Sequence, residues 1–305
     1  MTLPDAIRTE SLTKYYGPVV AVESLDLTVA PGEVYGFLGP NGAGKTTTIR
    51  ILLDLVRATS GHARVDGLDC RAASVEVRRR IGYLPAEMPL YREMTGAAYL
   101  KFLSALQSRR VDESYRRKLF ARFDVSDIDL RRRLDHLSHG MKRKFGIIQA
   151  LMGRLPLLIL DEPTSGLDPL MIEAFAETVH ELKTAGGTTI FLSSHVLSEV
   201  ERLCDRVGII RRGRLVRQTS NADLRRDTPR RLRVFFDGAA PAPPSSLAVA
   251  VRRSDNRHWE LEWPGPLGGV LDALQGLPVS DIEIEPFRLE DYVLRIYSDE
   301  SRAAT

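Results

Sequence analysis

The sequence predicts an α/β fold: a mostly parallel sheet covered by helices, with a helical subdomain, followed by a small α+β unit. Short apolar runs that alternate with segments of helical periodicity are typical of such a sheet. Residues 155–160 form an apolar run that ends at Asp161, which indicates a central strand buried on both faces. A glycine-rich turn joins a predicted strand at 32–38 to a predicted helix at 46–56.

The same alternation continues toward residue 218. Residues 188–193 form another short apolar run, and a helix is predicted before it. Its apolar face carries four residues at helical spacing: Ile172, Phe175, Val179 and Leu182. A pair of glycines at 186 and 187 ends this helix. Residues 86–151 contain no comparable β-like run and are therefore predicted to form the helical subdomain.

The character of the chain changes after residue 218, which sets the predicted domain boundary. Residues 219–230 are polar and arginine-rich and indicate a helix and linker, and residues 231–305 are predicted to form the small α+β unit. Its predicted strands lie at 232–236, 247–251, 259–263 and 279–285, and its predicted helices at 267–275 and 289–297.

Length and composition exclude several classes of protein. The 305 residues, 43% hydrophobic and 27% charged, suit a globular chain of about two domains. A formal net charge of +3 does not by itself indicate binding to nucleic acid. Cys70 and Cys204 are far apart in the sequence and lack metal-ligand spacing, so neither a disulfide framework nor a structural zinc site is expected. No apolar run reaches the roughly 18 residues of a membrane span, and no signal peptide is recognisable. The expected location is cytoplasmic.

The glycine-rich turn matches the phosphate-loop (Walker A) pattern. Its candidate binding residues are Gly39, Asn41, Gly42, Gly44, Lys45, Thr46 and Thr47. Backbone N–H groups of such a loop, at the positive end of the following helix, cradle a polyphosphate. Lys45 is expected to reach the β- and γ-phosphates, and the Thr46 hydroxyl to bind Mg²⁺. The alternative is a glycine-rich turn with a fortuitous lysine.

Two carboxylates at the end of the apolar run complete the predicted site. Asp161, at the tip of a buried strand, is expected to hold hydrated Mg²⁺. Glu162 lies one position further, where a carboxylate can act as general base toward a water aimed at the γ-phosphate. Alone, the two carboxylates are weak evidence, because the alternative is a pair of acids in a strand-end turn; beside the phosphate loop they are strong evidence for the site.

With these motifs the sequence resembles the ATP-binding subunits of ABC transporters. Residues 137–141 are similar to the family's signature sequence, residues 165–168 to its D-loop, and His195 to its switch histidine. The resemblance implies that ATP binds with Mg²⁺ and that His195 senses the γ-phosphate. It also implies that Ser138 and Gly140 cap the ATP of a second copy arranged head to tail, and that Asp168 helps to join the two sites.

Tyr16 is similar to the aromatic residue on which adenine stacks in that family. Tyr15 is the alternative, and both tyrosines could instead be ordinary strand aromatics.

The motifs depart from the family's pattern at two places. Ala86 stands where a glutamine commonly touches Mg²⁺ and the attacking water, and a methyl group can do neither directly. Glu87 or a water could take that role. In the signature, His139 and Met141 replace the commoner glycine and glutamine; a pH-sensitive His139 and a tolerated variation are both open.

The resemblance implies that this chain is the energy-coupling subunit of an ABC transporter, which hydrolyses ATP as a homodimer and drives a separate membrane permease. Residues 286–295 are similar to the last helix of the accessory domain in drug-, antibiotic- or lipid-type exporters. Such a subunit is peripheral at the inner face of the membrane. The alternatives are an ABC-type ATPase acting on nucleic acid or the ribosome, and an ATP-binding regulator without turnover.

Overall fold

The computed structural model describes residues 4–88, 91, 93–106, 111–227, 229–244, 247, 251–263, 267–285, 290 and 292–293. The chain divides into two compact units, Met1–Thr219 and Ser220–Thr305. In the described part of the chain, no helix has both the length and the apolar character needed to cross a membrane.

An antiparallel sheet opens the first unit. Its strands are β1 (Ile7–Tyr16), β2 (Val19–Val29), β4 (Ser60–Val65) and β5 (Leu68–Asp69), in the order β2-β1-β4-β5. Alternate side chains of β2, including Leu25, Leu27 and Val29, are buried in the main hydrophobic core, which also holds Ile49 and Leu52.

The central sheet has six strands. They are β3 (Val34–Leu38), β6 (Ile81–Leu84), β7 (Leu157–Asp161), β8 (Thr189–Ser194), β9 (Arg206–Arg211) and β10 (Arg214–Ser220). The order is β10-β9-β3-β8-β7-β6, and the five strands from β9 to β6 run parallel. Every residue of β3, β7 and β8 is buried. The carboxyl ends of these three strands therefore lie side by side, where ligands bind in parallel sheets.

Helices cover this sheet: α1 (Lys45–Leu52), α2 (Ser74–Arg79), α7 (Pro169–Ala185) and α8 (Leu197–Leu203). The predicted helix at 46–56 is α1, which ends four residues early. Asp54 adopts a positive φ of 52°, and the N–H groups of Leu55 and Val56 both donate to the carbonyl oxygen of Arg50. The last apolar residues of that pattern therefore belong to a turn.

Among its described residues, the helical subdomain predicted at 86–151 contains four α-helices and one 3-10 helix. They are α3 (Gly96–Leu106), α4 (Glu113–Arg122), α5 (Asp127–Arg131), the 3-10 helix (Leu134–His136) and α6 (His139–Leu151). Asp112 caps α4, and Ser126 forms a capping box with Asp129 at the start of α5. These caps fix where α4 and α5 begin.

An ion-pair cluster links α4 to α7, and it gives a prediction for acid stability. Glu181 accepts from Arg122 (2.5 Å) and Lys118 (3.0 Å), which lowers its pKa from 4.5 to about 2. Because the folded-state pKa is lowered, the stabilisation is complete above about pH 4.5 and is lost as the pH falls toward 2.

Glu181→Gln should therefore lower the free energy of unfolding at pH 7 by less than about 1 kcal/mol, since the cluster is exposed. The difference from wild type should shrink as the pH falls from 4.5 toward 2. Thermal unfolding at several pH values measures it, with the exposed Glu76→Gln of α2 as control. If the difference in unfolding free energy between wild type and Glu181→Gln grew as the pH fell, the lowered pKa of Glu181 would be contradicted.

The described part of the second unit includes α9 (Asn221–Asp227), β11 (Arg230–Phe236), β12 (Val251–Ser254), β13 (His258–Trp263), α10 (Leu267–Leu274) and β14 (Val279–Ile284). The strands form a sheet in the order β12-β13-β11-β14, and α9 lies within the predicted linker. Leu232, Val234, Trp259 and Leu261 form the core of this unit.

The strand predicted at 247–251 is wrong at Leu247, and residues 248–250 lie outside the described residues. Leu247 is helical, with its N–H bonded to the carbonyl oxygen of Pro244, and its side chain is buried in the core of the second unit. The strand lies instead at Val251–Ser254. The first residue of the apolar run therefore belongs to a buried helical turn and not to the strand. Most of the helix predicted at 289–297 lies outside the described residues.

Candidate active site

The glycine-rich loop joins the end of β3 to α1, as the spacing predicts. Gly39 follows β3, Asn41 and Gly42 are exposed, and α1 begins at Lys45. Gly44 has a φ of 112°, and a Cβ there would lie 2.4 Å from the carbonyl oxygen of Ala21. Only glycine fits that position. The loop therefore presents its backbone N–H groups at the start of α1.

Lys45 is buried, with only 6% exposure, beneath the loop. Its Nζ donates to the carbonyl oxygen of Gly39 at 2.6 Å and lies 3.3 Å from Oε1 of Glu162. The loop and the end of β7 thus meet at this ammonium group. Thr47 occupies the first turn of α1, partly buried.

Asp161 ends β7 and is fully buried. Its Oδ2 accepts from the Thr46 hydroxyl at 2.9 Å, and its Oδ1 accepts from the hydroxyl of Ser193 on β8. These carboxylate and hydroxyl oxygens are hard ligands of the kind that Mg²⁺ prefers. The donor set at this point fits a magnesium ion.

Glu162 lies just past β7 with a positive φ of 52°, which is uncommon for a residue with a side chain. Its Oε2 lies 2.7 Å from Nδ1 of His195, which follows β8. The His195 side chain is 50% exposed. The structure therefore brings four of the predicted residues together in one cluster. The Glu162 side chain contacts both Lys45 and His195, and Glu162 directly follows Asp161, which pairs with Ser193 in the register of β7 and β8.

The predicted signature and D-loop residues lie at two neighbouring helix starts. Ser138 caps α6 by accepting from the Met141 N–H at 3.2 Å, and Asp168 caps α7. A Cβ at Gly140 would come within 3.1 Å of the Gly166 carbonyl oxygen, so the two segments touch. Ser138 and Asp168 are exposed, and no hydrogen bond or ion pair among the described residues joins them to the Lys45 cluster.

Tyr15 and Tyr16 end β1, with 40% and 44% exposure. They pair with Val20 and Val19, which are also exposed, and Lys14 Nζ lies 4.9 Å from the Tyr16 ring centre. The two rings form an open aromatic edge of the first sheet. Because the two rings are almost equally exposed, exposure does not decide which of them stacks on a base.

Comparison with known proteins places this geometry in a family. The family model described as ABC transporter matches residues 22–165. The bacitracin transport ATP-binding protein BcrA of Bacillus licheniformis is 34% identical over 307 residues, covering 95% of this chain and 96% of that protein. The daunorubicin resistance ATP-binding protein DrrA3 of Streptomyces coeruleorubidus is 33% identical, covering 97% of each chain. The chain belongs to the ABC transporter family.

A solved ATP-binding subunit of an ABC transporter matches the fold of this ABC subunit with a TM-score of 0.66 and 32% identity, covering 74% of this chain and 92% of that one. The predicted α/β fold and the predicted family are thus confirmed. The ABC subunit binds ATP and is an ATPase. Its relatives are named for transport or drug resistance, which supports the transport interpretation rather than an ATPase acting on nucleic acid or the ribosome.

Sequence reasoning missed three polar residues that organise the site of this ABC subunit. Ser193 holds Asp161, and the Thr164 hydroxyl donates to Glu199 at 2.7 Å, which joins the loop after β7 to α8. Arg143 of α6 reaches main-chain oxygens beside both carboxylates. Ser193 lies directly opposite Asp161 in the register of β7 and β8, a relation that only the structure gives.

Proposed function

We propose that this ABC subunit is the energy-coupling ATPase of an exporter of antibiotics or drugs, and that it drives a separate membrane permease. One observation carries the proposal: identity to BcrA and DrrA3 extends over 95% and 97% of the chain, and so includes the second unit. A lipid-like substrate is the alternative within the same exporter class. The subunit acts in the cytoplasm at the inner face of the membrane, attached through the permease, and has no role on nucleic acid.

The nucleotide would bind across the loop between β3 and α1. Backbone N–H groups of the loop and of the first turn of α1 would surround the phosphates, and Lys45 would leave its contacts with Gly39 and Glu162 to reach the β- and γ-phosphate oxygens. Adenine would stack on Tyr16. Thr46 and Asp161 would hold Mg²⁺, which when bound supplies positive charge to the β- and γ-phosphate oxygens.

Hydrolysis would use the cluster at the ends of β7 and β8. Glu162 is positioned to take a proton from the attacking water, while Asp161 stays on the metal side. His195, hydrogen-bonded to Glu162 at 2.7 Å, is close enough to this carboxylate to sense the γ-phosphate beside it. The work of the site is positioning and electrostatic stabilisation.

A second copy would complete each site. Ser138 caps α6 and Gly140 lies in its first turn, where backbone N–H groups suit an anion. Ser138 is exposed, Gly140 is partly buried, and no hydrogen bond or ion pair among the described residues joins Ser138 to the Lys45 cluster of its own chain. A head-to-tail homodimer would place them against the γ-phosphate bound by the partner. Asp168, exposed at the start of α7, would join the two sites.

Transport by inverted membrane vesicles tests the proposal. Vesicles that contain the permease and this subunit should accumulate a bacitracin-type peptide or a daunorubicin-type drug when ATP is added. Matched vesicles with Lys45→Ala should not. Failure with both compound classes, together with ATP hydrolysis that nucleic acid or ribosomes stimulate, would overturn the export role in favour of the alternative.

Ala86→Gln tests the departure from the family's pattern. If Glu87 or a water already fills the role of the missing glutamine, the change should alter the rate of hydrolysis by less than about tenfold, or about 1.4 kcal/mol in the barrier. Steady-state hydrolysis by the full chain measures it. A hundredfold rise would show that the natural chain is an impaired ATPase without its partner.

A further inference from the structure

Arg143 is a buried cation on α6, and the proposed chemistry gives this side chain no role. It lies on α6, five residues after the cap Ser138, and is only 2% exposed. Burial lowers the pKa of Arg143 to about 10, while the nearby charges of Asp161 and Glu162 act in the opposite direction. The guanidinium is therefore charged at neutral pH. A buried charge is costly unless its donors are satisfied.

All five N–H donors of this guanidinium have a main-chain acceptor. Nε donates to the carbonyl oxygen of Pro163 at 3.2 Å, and one terminal nitrogen donates to Pro85 (2.6 Å) and Ala86 (3.1 Å). The other terminal nitrogen donates to Asp161 (2.7 Å) and Glu162. One side chain thus ties α6 to the segments that follow two adjacent strands, β6 and β7.

These hydrogen bonds lie on both sides of Glu162, the base in the proposed hydrolysis. Arg143 holds the carbonyl oxygens of the residue before Glu162, of Glu162 itself and of the residue after it. Glu162 has a φ of 52°, a conformation that persists only where surrounding contacts fix it. The segment at 85–86 reaches this network only through its main chain, because the Ala86 side chain carries no polar atom.

We propose that Arg143 is a positioning residue, which orients the Glu162 carboxylate by fixing the main chain around it and anchoring it to residues 85–86. The inference rests on the proposed role of Glu162 as base. Lysine cannot replace arginine here, because its three donors radiate from one point and cannot serve two separate segments. Arg143→Lys therefore keeps the positive charge but loses the planar guanidinium whose donors reach both segments.

The test compares Arg143→Lys with a matched control, Lys144→Met. Lys144 is the next residue of α6 and is also buried. Its ammonium group, however, contacts Asp124, and no hydrogen bond or ion pair among the described residues joins it to Asp161 or Glu162. Arg143→Lys should lower kcat by roughly 10- to 100-fold, the cost expected when a catalytic group is misplaced by about 1 Å. The Kd for Mg-ADP should stay within about twofold, because the phosphate loop is untouched. Lys144→Met should change neither.

Coupling to the base separates positioning from a structural role. If Arg143 acts through Glu162, then Arg143→Lys should change the residual single-turnover rate of a Glu162→Gln chain by less than about twofold. Equal losses in both backgrounds would overturn the proposal, as would an unchanged kcat, an equal loss in Lys144→Met, or loss of Mg-ADP binding. A wild-type chain without turnover would instead count against the proposed function.

Discussion

Lys45→Ala should reduce ATP hydrolysis by roughly 10²- to 10³-fold or more, since it removes a positive charge from a site that acts through electrostatic positioning. Much of the affinity for ATP should be lost as well. In the structure the Lys45 ammonium lies between the Gly39 carbonyl oxygen and Glu162, under the loop that would hold the phosphates. No other lysine contacts Glu162 among the described residues.

The measurements are steady-state hydrolysis and calorimetric binding of Mg-ATP by the full chain. Lys118→Ala is a suitable control, because this exposed lysine pairs with Glu181 far along the sequence from the loop. Thermal unfolding of both variants shows whether the fold survives. A folded Lys45→Ala chain with near-normal turnover would contradict the assignment of the nucleotide site.

Glu162→Gln should trap two chains around unhydrolysed ATP. The substitution removes the proposed base, worth roughly 10²- to 10⁴-fold in rate, and leaves Asp161 and Thr46 in place. ATP that binds only the paired form then shifts the monomer toward the dimer by mass action. Size-exclusion chromatography with light scattering, with and without Mg-ATP, reads the change in mass.

Ser138→Arg on the same background should oppose this shift, because the bulky side chain obstructs the start of α6. The substitution also removes a helix cap, so Ser126→Arg, which removes the exposed cap of α5, is the matched control. Only Ser138→Arg should weaken dimer formation. A Glu162→Gln chain that binds Mg-ATP and stays monomeric at high concentration would argue against homodimeric closure.

Local spacing made much of the site predictable. The phosphate-loop pattern fixes Lys45 at the start of α1, and an apolar run ending in two acids places Asp161 and Glu162 at the end of β7. Both signals depend on residues adjacent in the chain. The structure extends them by bringing Thr46 within 2.9 Å of Asp161, across 115 positions of sequence.

The contacts that hold these residues were not predictable, because they depend on packing between distant segments. Ser193 meets Asp161 only through the register of β7 and β8. Arg143 stands in a run of three basic residues, a pattern typical of a solvated surface, and it is buried because α6 packs against residues 85–86 and 161–163. Leu247 shows the same limit, since an apolar residue predicts burial but does not distinguish a helical residue from a strand residue.

Mixing two defective chains tests most directly the central claim that each site is completed by a second copy. In a dimer of one Lys45→Ala chain and one Ser138→Arg chain, one site carries both substitutions and the other carries neither. Each variant alone should be inactive. Their equimolar mixture should recover roughly a quarter of wild-type hydrolysis if assembly is random and the sites act independently. A mixture that hydrolyses ATP no faster than the sum of its separate components would contradict the account.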